Sequence, residues 1–301
     1  MDQLEALKME LTCQCPELEL REKEPMSRHT SFHIGGPAAL MALPKSESQA
    51  EAAVRAAHEM GVVPFFMGNG SNLLVPDEGV DRFLVKSVPG LDWCRLEGEA
   101  LLAGAGITLA RLAVFARDAG LTGLEFAHGI PGSLGGAVTM NAGAYGGEMA
   151  QVVCSVDCLT CSGERETVTD CGFGYRHSAF SDGSRMILGA RLALQPGDRE
   201  AIRERMEELA ARRQAKQPLE LSSAGSMFKR PPGYFAGALI DQCGLRGLTV
   251  GGAQVSEKHA GFVVNRGGAT CADVLALVEQ VRERVLSQTG VELEMEVRLL
   301  K

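Results

Sequence analysis

GIPGSLGGAVTMNAGAYGG, residues 129–147, holds seven glycines in nineteen positions and shows no helical or strand period. Glycines at this density let the backbone approach a bound group closely. The stretch therefore predicts a cradle in which Ser133, Asn141 and the backbone surround a large flat ligand while Tyr145 covers it. A tightly packed region of strand and turn is the alternative interpretation.

A second glycine-rich loop, GNGSN at residues 68–72, follows the apolar run 62–67, which predicts a buried strand. Its backbone N–H groups can converge on an anion, and Ser71 and Asn72 add side-chain donors. A plain turn is the alternative. The two common nucleotide fingerprints, G-x-x-x-x-G-K-[ST] and a G-x-G-x-x-G that opens a helix, are absent from the sequence. Two glycine loops in one half of the chain favour a dinucleotide lying across an α+β domain.

Charge and hydropathy narrow the classes of function for this chain of 301 residues. Thirty basic and 38 acidic residues give a formal net charge of -8, so no overall positive field attracts nucleic acid or an anionic membrane. No apolar run approaches the ~18 residues of a membrane-spanning helix, and the charged N-terminal stretch lacks the apolar region of a secretion signal. We expect a cytoplasmic protein that binds anions in local pockets and binds neither nucleic acid nor membranes.

The cysteines raise the question of disulfides and of a metal site. Their number, nine, is odd and they are spread along the chain, which favours reduced thiols. Cys158 and Cys161 have the spacing of zinc ligands. If residues 152–161 are extended, however, Cys154 and Cys158 share one face of the strand and Cys161 faces away. The sequence therefore predicts no metal site.

Cap residues and apolar residues at helical spacing predict four helices. In residues 291–299, apolar and charged residues alternate, which predicts a strand with one buried face. Residues 1–30 predict a short helix and a linker, and a domain boundary is expected near residue 198. The four helices are expected from Ser46 to Gly61, from Thr108 to Gly120, over residues 198–217 and from Thr270 onward.

Three side chains are candidates for chemistry. Arg176, in the polar segment GYRHSAF, can hold a carboxylate through two parallel hydrogen bonds, and a solvated surface arginine is the alternative. Ser226, in SSAGSMFKRP, can be presented on a tight turn beside two cations, or it can simply cap that turn. Glu296 shares the polar face of the last strand with two other glutamates, and spacing alone does not choose among the three.

Eight motifs follow one another along residues 29–299. They are HTSFHIGGPA (29–38), GNGSNLLV (68–75), GIPGSLGGAVTMNAGAYG (129–146), YRHSAF (175–180), AGSMFKRP (224–231), ALIDQCGLRG (238–247), SEKHAGFVVN (256–265) and LEMEVRL (293–299). In this order they resemble the motifs of the UDP-N-acetylenolpyruvoylglucosamine reductases, the flavoenzymes of bacterial peptidoglycan precursor synthesis.

The resemblance implies an α+β fold in which residues 31–197 hold FAD in a two-part domain of the p-cresol methylhydroxylase type, split near residue 96. Residues 198–301 are then an α+β substrate-binding domain. NADPH is expected to give hydride to the flavin, and the reduced flavin to give hydride to C3 of the enolpyruvyl group of UDP-N-acetylglucosamine enolpyruvate, which forms UDP-N-acetylmuramate. The motifs place on the flavin side Gly68, Asn69, Gly70, Ser71, Asn72, Gly132, Ser133, Gly136 and Ala137.

For the chemical step, the resemblance implies that Ser226 protonates C2 of the substrate. Arg176 and Glu296 are expected to stabilise the enolate-like intermediate at the substrate carboxylate. The implied substrate-binding residues are Tyr175, Lys229, Arg246 and Lys258.

Two positions depart from the family pattern. Arg230 stands where Asn is common after Phe-Lys, and Gly261 stands where Asn is common in the HAGF motif. The short spacing between the Arg176 and Ser226 motifs is typical of the compact members that lack an extra tyrosine-bearing loop over the substrate. Two further interpretations stay open: another FAD oxidoreductase of the same fold, such as a sugar oxidase, or a nucleotide-sugar binding protein without catalysis.

Overall fold

Contacts within the chain divide it into two units, each built from segments that are not contiguous in sequence. The computed structural model describes residues 3–301. Unit 1 contains Met1–Glu22, Ala39–Asn69 and Asp81–Arg212, and unit 2 contains Lys23–Ala38, Gly70–Val80 and Arg213–Lys301.

The secondary structure mixes helices and strands along the chain. The helices are α1 (Gln3–Gln14), α2 (Glu47–Glu59), α3 (Leu109–Asp118), α4 (Leu134–Thr139), α5 (Arg199–Lys216), α6 (Ala236–Gln242) and α7 (Cys271–Thr289). The strands are β1 (Glu19–Pro25), β2 (Pro37–Leu43), β3 (Phe65–Met67), β4 (Leu73–Leu74), β5 (Val80–Lys86), β6 (Cys94–Glu97), β7 (Ala100–Gly104), β8 (Leu121–Thr122), β9 (Gly143–Ala144), β10 (Gly147–Glu148), β11 (Val153–Leu159), β12 (Arg165–Val168), β13 (Met186–Ala193), β14 (Gln195–Pro196), β15 (Thr249–Val250), β16 (Ala253–Val255), β17 (Val263–Asn265) and β18 (Arg298–Leu299).

The largest sheet of unit 1 has five antiparallel strands in the order β12-β11-β13-β7-β6. Its apolar face packs with α3, α4 and α5, and Leu101, Leu112, Val138, Leu192 and Met206 lie in one buried cluster. Burial of such side chains contributes roughly 1.5–3 kcal/mol each. This core holds the glycine-rich stretch 129–147 in place.

A four-stranded sheet has the order β1-β2-β5-β3, with β3 parallel to β5. Helices α1 and α2 share a hydrophobic core with this sheet, in which Leu7, Leu11, Val54 and Phe83 are fully buried. The parallel pair β3 and β5 places the end of β3, and therefore the following loop 68–72, at the edge of this core.

The core of unit 2 forms from α6, α7 and the antiparallel sheet β15-β16-β17. Strands β18 and β4 form a short parallel pair beside them. Asp77 binds the first turn of α7: its Oδ1 accepts from Cys271 N at 2.7 Å and its Oδ2 accepts from Ala272 N at 3.0 Å. A carboxylate at this end of a helix satisfies backbone donors that otherwise lack partners.

The four predicted helices are confirmed as α2, α3, α5 and α7. The Ser46 and Thr108 hydroxyls accept from the backbone three residues on, and Thr270 forms a reciprocal capping box with Asp273. These signals were sufficient because a cap and its helix are neighbours in sequence.

Two strand predictions are wrong in extent. The strand expected over 62–67 is confined to β3, and Val63 is 74% exposed. The strand expected over 291–299 is confined to β18. Leu293 and Val297 are nevertheless buried, so the alternation of buried and exposed side chains persists without a continuous partner strand.

Three other expectations need correction. The stretch 129–147 contains α4 and the hairpin of β9 and β10, although it shows no period in sequence. The segment expected as a linker within residues 1–30 contains β1. Cys154 is exposed and Cys158 buried, so they do not share a face, because bulges interrupt the β11–β13 register.

Neither a metal-binding cluster nor a membrane-spanning helix is present in the part of the chain that the structure describes. In residues 3–301, no group of three or more His, Cys, Asp and Glu side chains is arranged to hold a metal ion. Over the same residues, no helix has both the length and the apolar character needed to cross a membrane.

We expect Asp77→Ala to lower the free energy of unfolding by about 1 kcal/mol, because two backbone donors of α7 lose their acceptor. Urea unfolding followed by circular dichroism measures this change. Glu78→Ala, at the exposed neighbouring position, is the control and is expected to change stability by less than about 0.5 kcal/mol. Equal losses in both variants would contradict the capping role.

Candidate active site

The loop of residues 68–72 and the start of α4 meet through Gly68 and Ser133. A Cβ on Gly68 would overlap the Ser133 hydroxyl and would lie 3.8 Å from Gly136 N. Three of the residues predicted for the flavin are therefore brought together. Only glycine leaves space at position 68 for the serine side chain.

Ser133 has a buried hydroxyl that lacks a hydrogen-bond partner among residues 3–301. The residue is 1% exposed, and its Oγ is without a hydrogen bond in the part of the chain described. Buried hydroxyls are almost always paired, and an orphan in a native structure points to a bound group. The Gly68 cradle and the Ser133 hydroxyl thus fit a polar ligand group such as a phosphate oxygen.

Backbone hydrogen bonds fix the Ser133 segment on the core of unit 1. Leu109 N donates to Gly132 O at 3.1 Å, and Leu134 N donates to Ile107 O at 2.9 Å. Ala137, the remaining predicted flavin residue of this motif, is buried on α4. The segment is preorganised before any ligand arrives.

The second half of the 68–72 loop belongs to unit 2. Gly70 has φ +65°, and a Cβ there would overlap the carbonyl oxygen of His29, so both backbone shape and space require glycine. Asn69 and Ser71 are half-buried in the loop. Asn72 Nδ2 donates to Glu296 O at 3.1 Å, and Asn72 O accepts from Arg298 N at 3.0 Å. The amide of Asn72 therefore holds the C-terminal segment.

Ser226 and Glu296 are connected through the backbone of Met227. Met227 N donates to Gly261 O at 2.8 Å, and Met227 O accepts from Glu296 N at 2.9 Å. Ser226 itself pairs with Phe262 as an antiparallel bridge, directly after Gly225 at φ +81°. The two candidate residues thus stand on neighbouring extended segments of unit 2.

The structure distinguishes Glu296 from the other two glutamates of its segment. Glu296 is half-buried, whereas Glu292 and Glu294 are exposed. Glu294 forms an ion pair with Lys229. Sequence spacing left this choice open because it depends on which residue of 291–299 pairs with Met227.

His259 supports the same segment and was not singled out by the sequence analysis. Burial lowers the pKa of His259, so the ring is neutral near pH 7 and its Nδ1 accepts from Gly261 N at 3.1 Å. A Cβ on Gly261 would lie 3.0 Å from the His259 ring, which explains why a small residue stands here. The histidine of the SEKHAGF motif is the sequence feature that could have indicated this supporting role.

Arg176 stands in unit 1 on a tight turn in which Gly174 and His177 exchange backbone hydrogen bonds. Its φ of +55° is unusual for arginine, and its Cζ lies 5.3 Å from the Tyr175 ring centroid. Strained backbone of this kind clusters at functional sites. Tyr175 is 57% exposed, as a residue that contacts a ligand would be.

Asn141 anchors that turn and does not line a ligand cradle as the sequence suggested. Its Nδ2 donates to Gly174 O at 3.0 Å and its Oδ1 accepts from Ala150 N at 2.9 Å, so both ends of the amide are used internally. The residue is 2% exposed. Tyr145 is half-buried, with the Arg212 guanidinium 5.0 Å from its ring centroid.

The three cations that the resemblance implies for substrate binding are all paired with carboxylates. Lys229 Nζ lies 2.5 Å from Glu294 Oε1, and Lys258 Nζ lies 3.6 Å from Glu220 Oε2. Arg246 forms two hydrogen bonds with Asp241, which raise the pKa of the guanidinium, and it also donates to the carbonyl oxygen of residue 257. Arg246 is thus the least available of the three for a ligand.

Comparisons with known proteins match two families to separate parts of the chain. A family described as FAD binding domain matches residues 38–169. A second family, described as UDP-N-acetylenolpyruvoylglucosamine reductase, C-terminal domain, matches residues 217–300. The class of protein is therefore a flavin-dependent oxidoreductase with an α+β fold.

Full-length relatives make the assignment specific. A UDP-N-acetylenolpyruvoylglucosamine reductase from Heliobacterium modesticaldum is 49% identical over 93% of this chain and 90% of its own length. The reductase from Alkaliphilus oremlandii is 46% identical over 100% of this chain and 99% of its own length. The crystal structure of the Thermus caldophilus reductase matches with a TM-score of 0.80 at 36% identity, over 94% of this chain and 99% of that one. The chain belongs to the UDP-N-acetylenolpyruvoylglucosamine reductase family.

A more distant neighbour shares the fold alone. Alkyldihydroxyacetonephosphate synthase matches with a TM-score of 0.50 at 18% identity over 64% of this chain. The predicted family resemblance and the predicted fold are both confirmed.

The contact between Gly68 and Ser133 gives a test with two variants. We expect Gly68→Ala to reduce the FAD content of the purified protein, because its methyl group takes the place of the serine hydroxyl. Ser133→Ala should weaken FAD binding by about tenfold, the worth of one hydrogen bond. The absorbance ratio at 450 and 280 nm measures content, and titration of apoprotein measures affinity. Full FAD affinity in Ser133→Ala would contradict a role for this hydroxyl.

Proposed function

We propose that this chain reduces the enolpyruvyl group of UDP-N-acetylglucosamine enolpyruvate to UDP-N-acetylmuramate with NADPH, using Ser226, Arg176 and Glu296. The reduction is the activity for which its full-length relatives are named, and FAD is its cofactor. The observation that carries the residue assignment is the Met227 backbone, which places Ser226 and Glu296 on paired segments. The reaction is a step of peptidoglycan precursor synthesis.

The flavin would be held by the two glycine loops. Ser133 offers an unpaired hydroxyl, and Gly68 and Gly136 leave backbone accessible beside it. When bound, FAD supplies the hydride chemistry that links NADPH to C3 of the enolpyruvyl group. We assign the remaining flavin contacts to Asn69, Gly70, Ser71, Asn72, Gly132 and Ala137.

Ser226 would hold the proton that is delivered to C2. Serine is a very weak acid, so its proton must pass to the carbon as basic charge develops there. The positive φ at Gly225 presents the hydroxyl on a tight turn, and Lys229 follows on the same segment to favour alkoxide character.

Arg176 and Glu296 would act on the substrate carboxylate. Addition of hydride at C3 shifts negative charge onto that group, and donors aimed at it beforehand bind the transition state more tightly than the ground state. A guanidinium can form two parallel hydrogen bonds with a carboxylate. In its protonated form, the half-buried Glu296 would donate a third hydrogen bond to the substrate carboxylate.

The two family matches suggest which part of the chain binds which ligand. We infer that residues 31–197, split near residue 96, bind FAD and that residues 198–301 bind the nucleotide sugar, while residues 1–30, expected as a helix and linker, pack into both units without a ligand role. The matches to residues 38–169 and 217–300 support this division. The substrates, NADPH and a nucleotide sugar, are cytoplasmic metabolites, and we place the protein there.

Ser226→Ala separates the two halves of the reaction. We expect flavin reduction by NADPH to stay nearly normal, while reoxidation by the UDP-sugar slows by about 10²-fold or more because the proton donor is lost. Anaerobic stopped-flow absorbance measures both steps. Ser223→Ala, on the same segment, is the matched control and should leave both rates unchanged. Equal slowing of the two steps in Ser226→Ala would contradict the assignment of Ser226 as the proton donor.

A further inference from the structure

The proposed chemistry makes no use of the motif HTSFHIGGPA, residues 29–38. Its first five residues, 29–33, lie between two parts of unit 2 that the chemistry does use. One part is the second half of the 68–72 loop, which starts at Gly70. The other is the segment that bears Ser226. Residues 29–33 are called the connector below.

The first residues of the connector pack directly against the loop. A Cβ on Gly70 would overlap His29 O and would lie 3.1 Å from the Cα atom of Thr30. Backbone therefore contacts backbone at this point, with no side chain between them. Because protein interiors are closely packed, a displacement of His29 moves the loop or leaves a gap beside it.

Two side-chain hydrogen bonds attach the connector to the residues that precede Ser226. Ser31 Oγ donates to Ser223 O at 2.7 Å. His33 Nδ1 lies 3.1 Å from Ser222 Oγ. His33 has φ +54°, a backbone conformation that side chains other than glycine rarely adopt. A strained residue of this kind persists only where its surroundings hold it in place.

Asn265 strengthens this attachment. Its Nδ2 donates to Phe32 O at 3.1 Å, and its backbone N donates to Ser222 O at 2.9 Å. Asn265 ends β17, and Phe262, just before that strand, forms the bridge with Ser226. One residue thus binds both the connector and the segment that bears Ser226.

A buried pair of polar side chains holds the connector at its start. Glu24 is 9% exposed and His29 is 8% exposed, and Glu24 Oε1 lies 2.8 Å from His29 Nε2. Replacing a buried ion pair by apolar residues of similar volume is often neutral or stabilising, so stability alone does not explain such a pair. A hydrogen bond restricts direction as well as distance, which an apolar contact does not. The pair therefore fixes where His29 stands against Gly70.

We propose that Glu24 and His29 are positioning residues of the reaction, whose buried hydrogen bond holds the 68–72 loop and the Ser226 segment in a fixed relation through the connector. The inference rests on the proposed function, in which the flavin delivers hydride and Ser226 delivers a proton to one substrate. A misplacement of about 1 Å can slow such a step by about 10²-fold. Flavin reduction by NADPH does not use Ser226.

The first test compares three variants at two positions of β1. Glu24→Leu removes the hydrogen bond, Glu24→Gln keeps a partner for His29, and Glu22→Leu makes the same change at an exposed position. Titration of apoprotein with FAD, followed by flavin fluorescence, should show about tenfold weaker binding in Glu24→Leu, because the loop loses its fixed neighbour. Glu24→Gln should restore the affinity, and Glu22→Leu should not change it.

The second measurement follows the two half-reactions of the FAD-saturated variants by anaerobic stopped-flow absorbance. In Glu24→Leu, we expect flavin reduction by NADPH to stay within about twofold of wild type and reoxidation by the UDP-sugar to slow by about tenfold or more. Glu24→Gln should restore the reoxidation rate. A merely structural role would lower the free energy of unfolding in urea without separating the half-reactions.

Ser31→Ala tests the other end of the connector and decides the matter where Glu24→Leu folds poorly. It removes the hydrogen bond to Ser223 O and leaves the contact with Gly70 in place. We expect unchanged FAD affinity and reoxidation slowed by about fivefold, the effect of one lost hydrogen bond. Ser27→Ala, on the segment just before the connector, is the matched control.

Four results would overturn the proposal. They are unchanged FAD affinity in Glu24→Leu, equal slowing of its two half-reactions, failure of Glu24→Gln to restore them, and unchanged reoxidation in Ser31→Ala. Failure of the proposed function itself would be seen separately, as wild-type flavin that the UDP-sugar does not reoxidise.

Discussion

The arrangement of the segments that bear Ser226 and Glu296 depends on the two backbone hydrogen bonds of Met227. Its N–H binds Gly261 and its carbonyl oxygen binds Glu296 N, so three segments that are distant in sequence become neighbours. Asn72 continues this arrangement, because its side chain and carbonyl oxygen hold residues 296 and 298. A shift of one residue in the pairing would exchange the half-buried Glu296 for an exposed neighbour. Register therefore decides which glutamate of this segment is half-buried beside Met227.

Glycine serves two different purposes in this protein. At position 70 it satisfies both a left-handed backbone and close packing on His29. At position 68 it leaves space for the hydroxyl of Ser133. In both places the absence of a side chain lets another part of the chain approach the loop closely, which gives the 68–72 loop its shape without either of the two common nucleotide fingerprints.

Sequence reasoning located the helices well because caps such as Ser46 and Thr270 lie within a few residues of the helix they begin. It missed α4, whose glycines carry no side chains to reveal a period. It also overextended the last strand, because alternation reports which residues are buried and does not report how long the partner strand is. Both failures concern information that resides in tertiary contacts.

The site was only partly accessible from the residues alone. Arg176, Ser226 and Glu296 emerged as candidates from the residues, and the roles proposed for them came from resemblance to a family. The full-length relatives confirm that the chain belongs to this family. The role of Asn141 as an anchor could not be read from sequence, because Gly174 becomes its partner only in the folded chain. A sugar oxidase and a noncatalytic binding protein were alternatives; the match of residues 217–300 to the reductase C-terminal domain favours neither.

The most direct test of the central claim is a visible absorption spectrum of the purified protein, recorded anaerobically before NADPH, after NADPH, and after UDP-N-acetylglucosamine enolpyruvate. The account predicts flavin bands that NADPH bleaches and that the UDP-sugar restores. Bands that oxygen restores but the UDP-sugar does not, or bands that NADPH leaves unchanged, would contradict it.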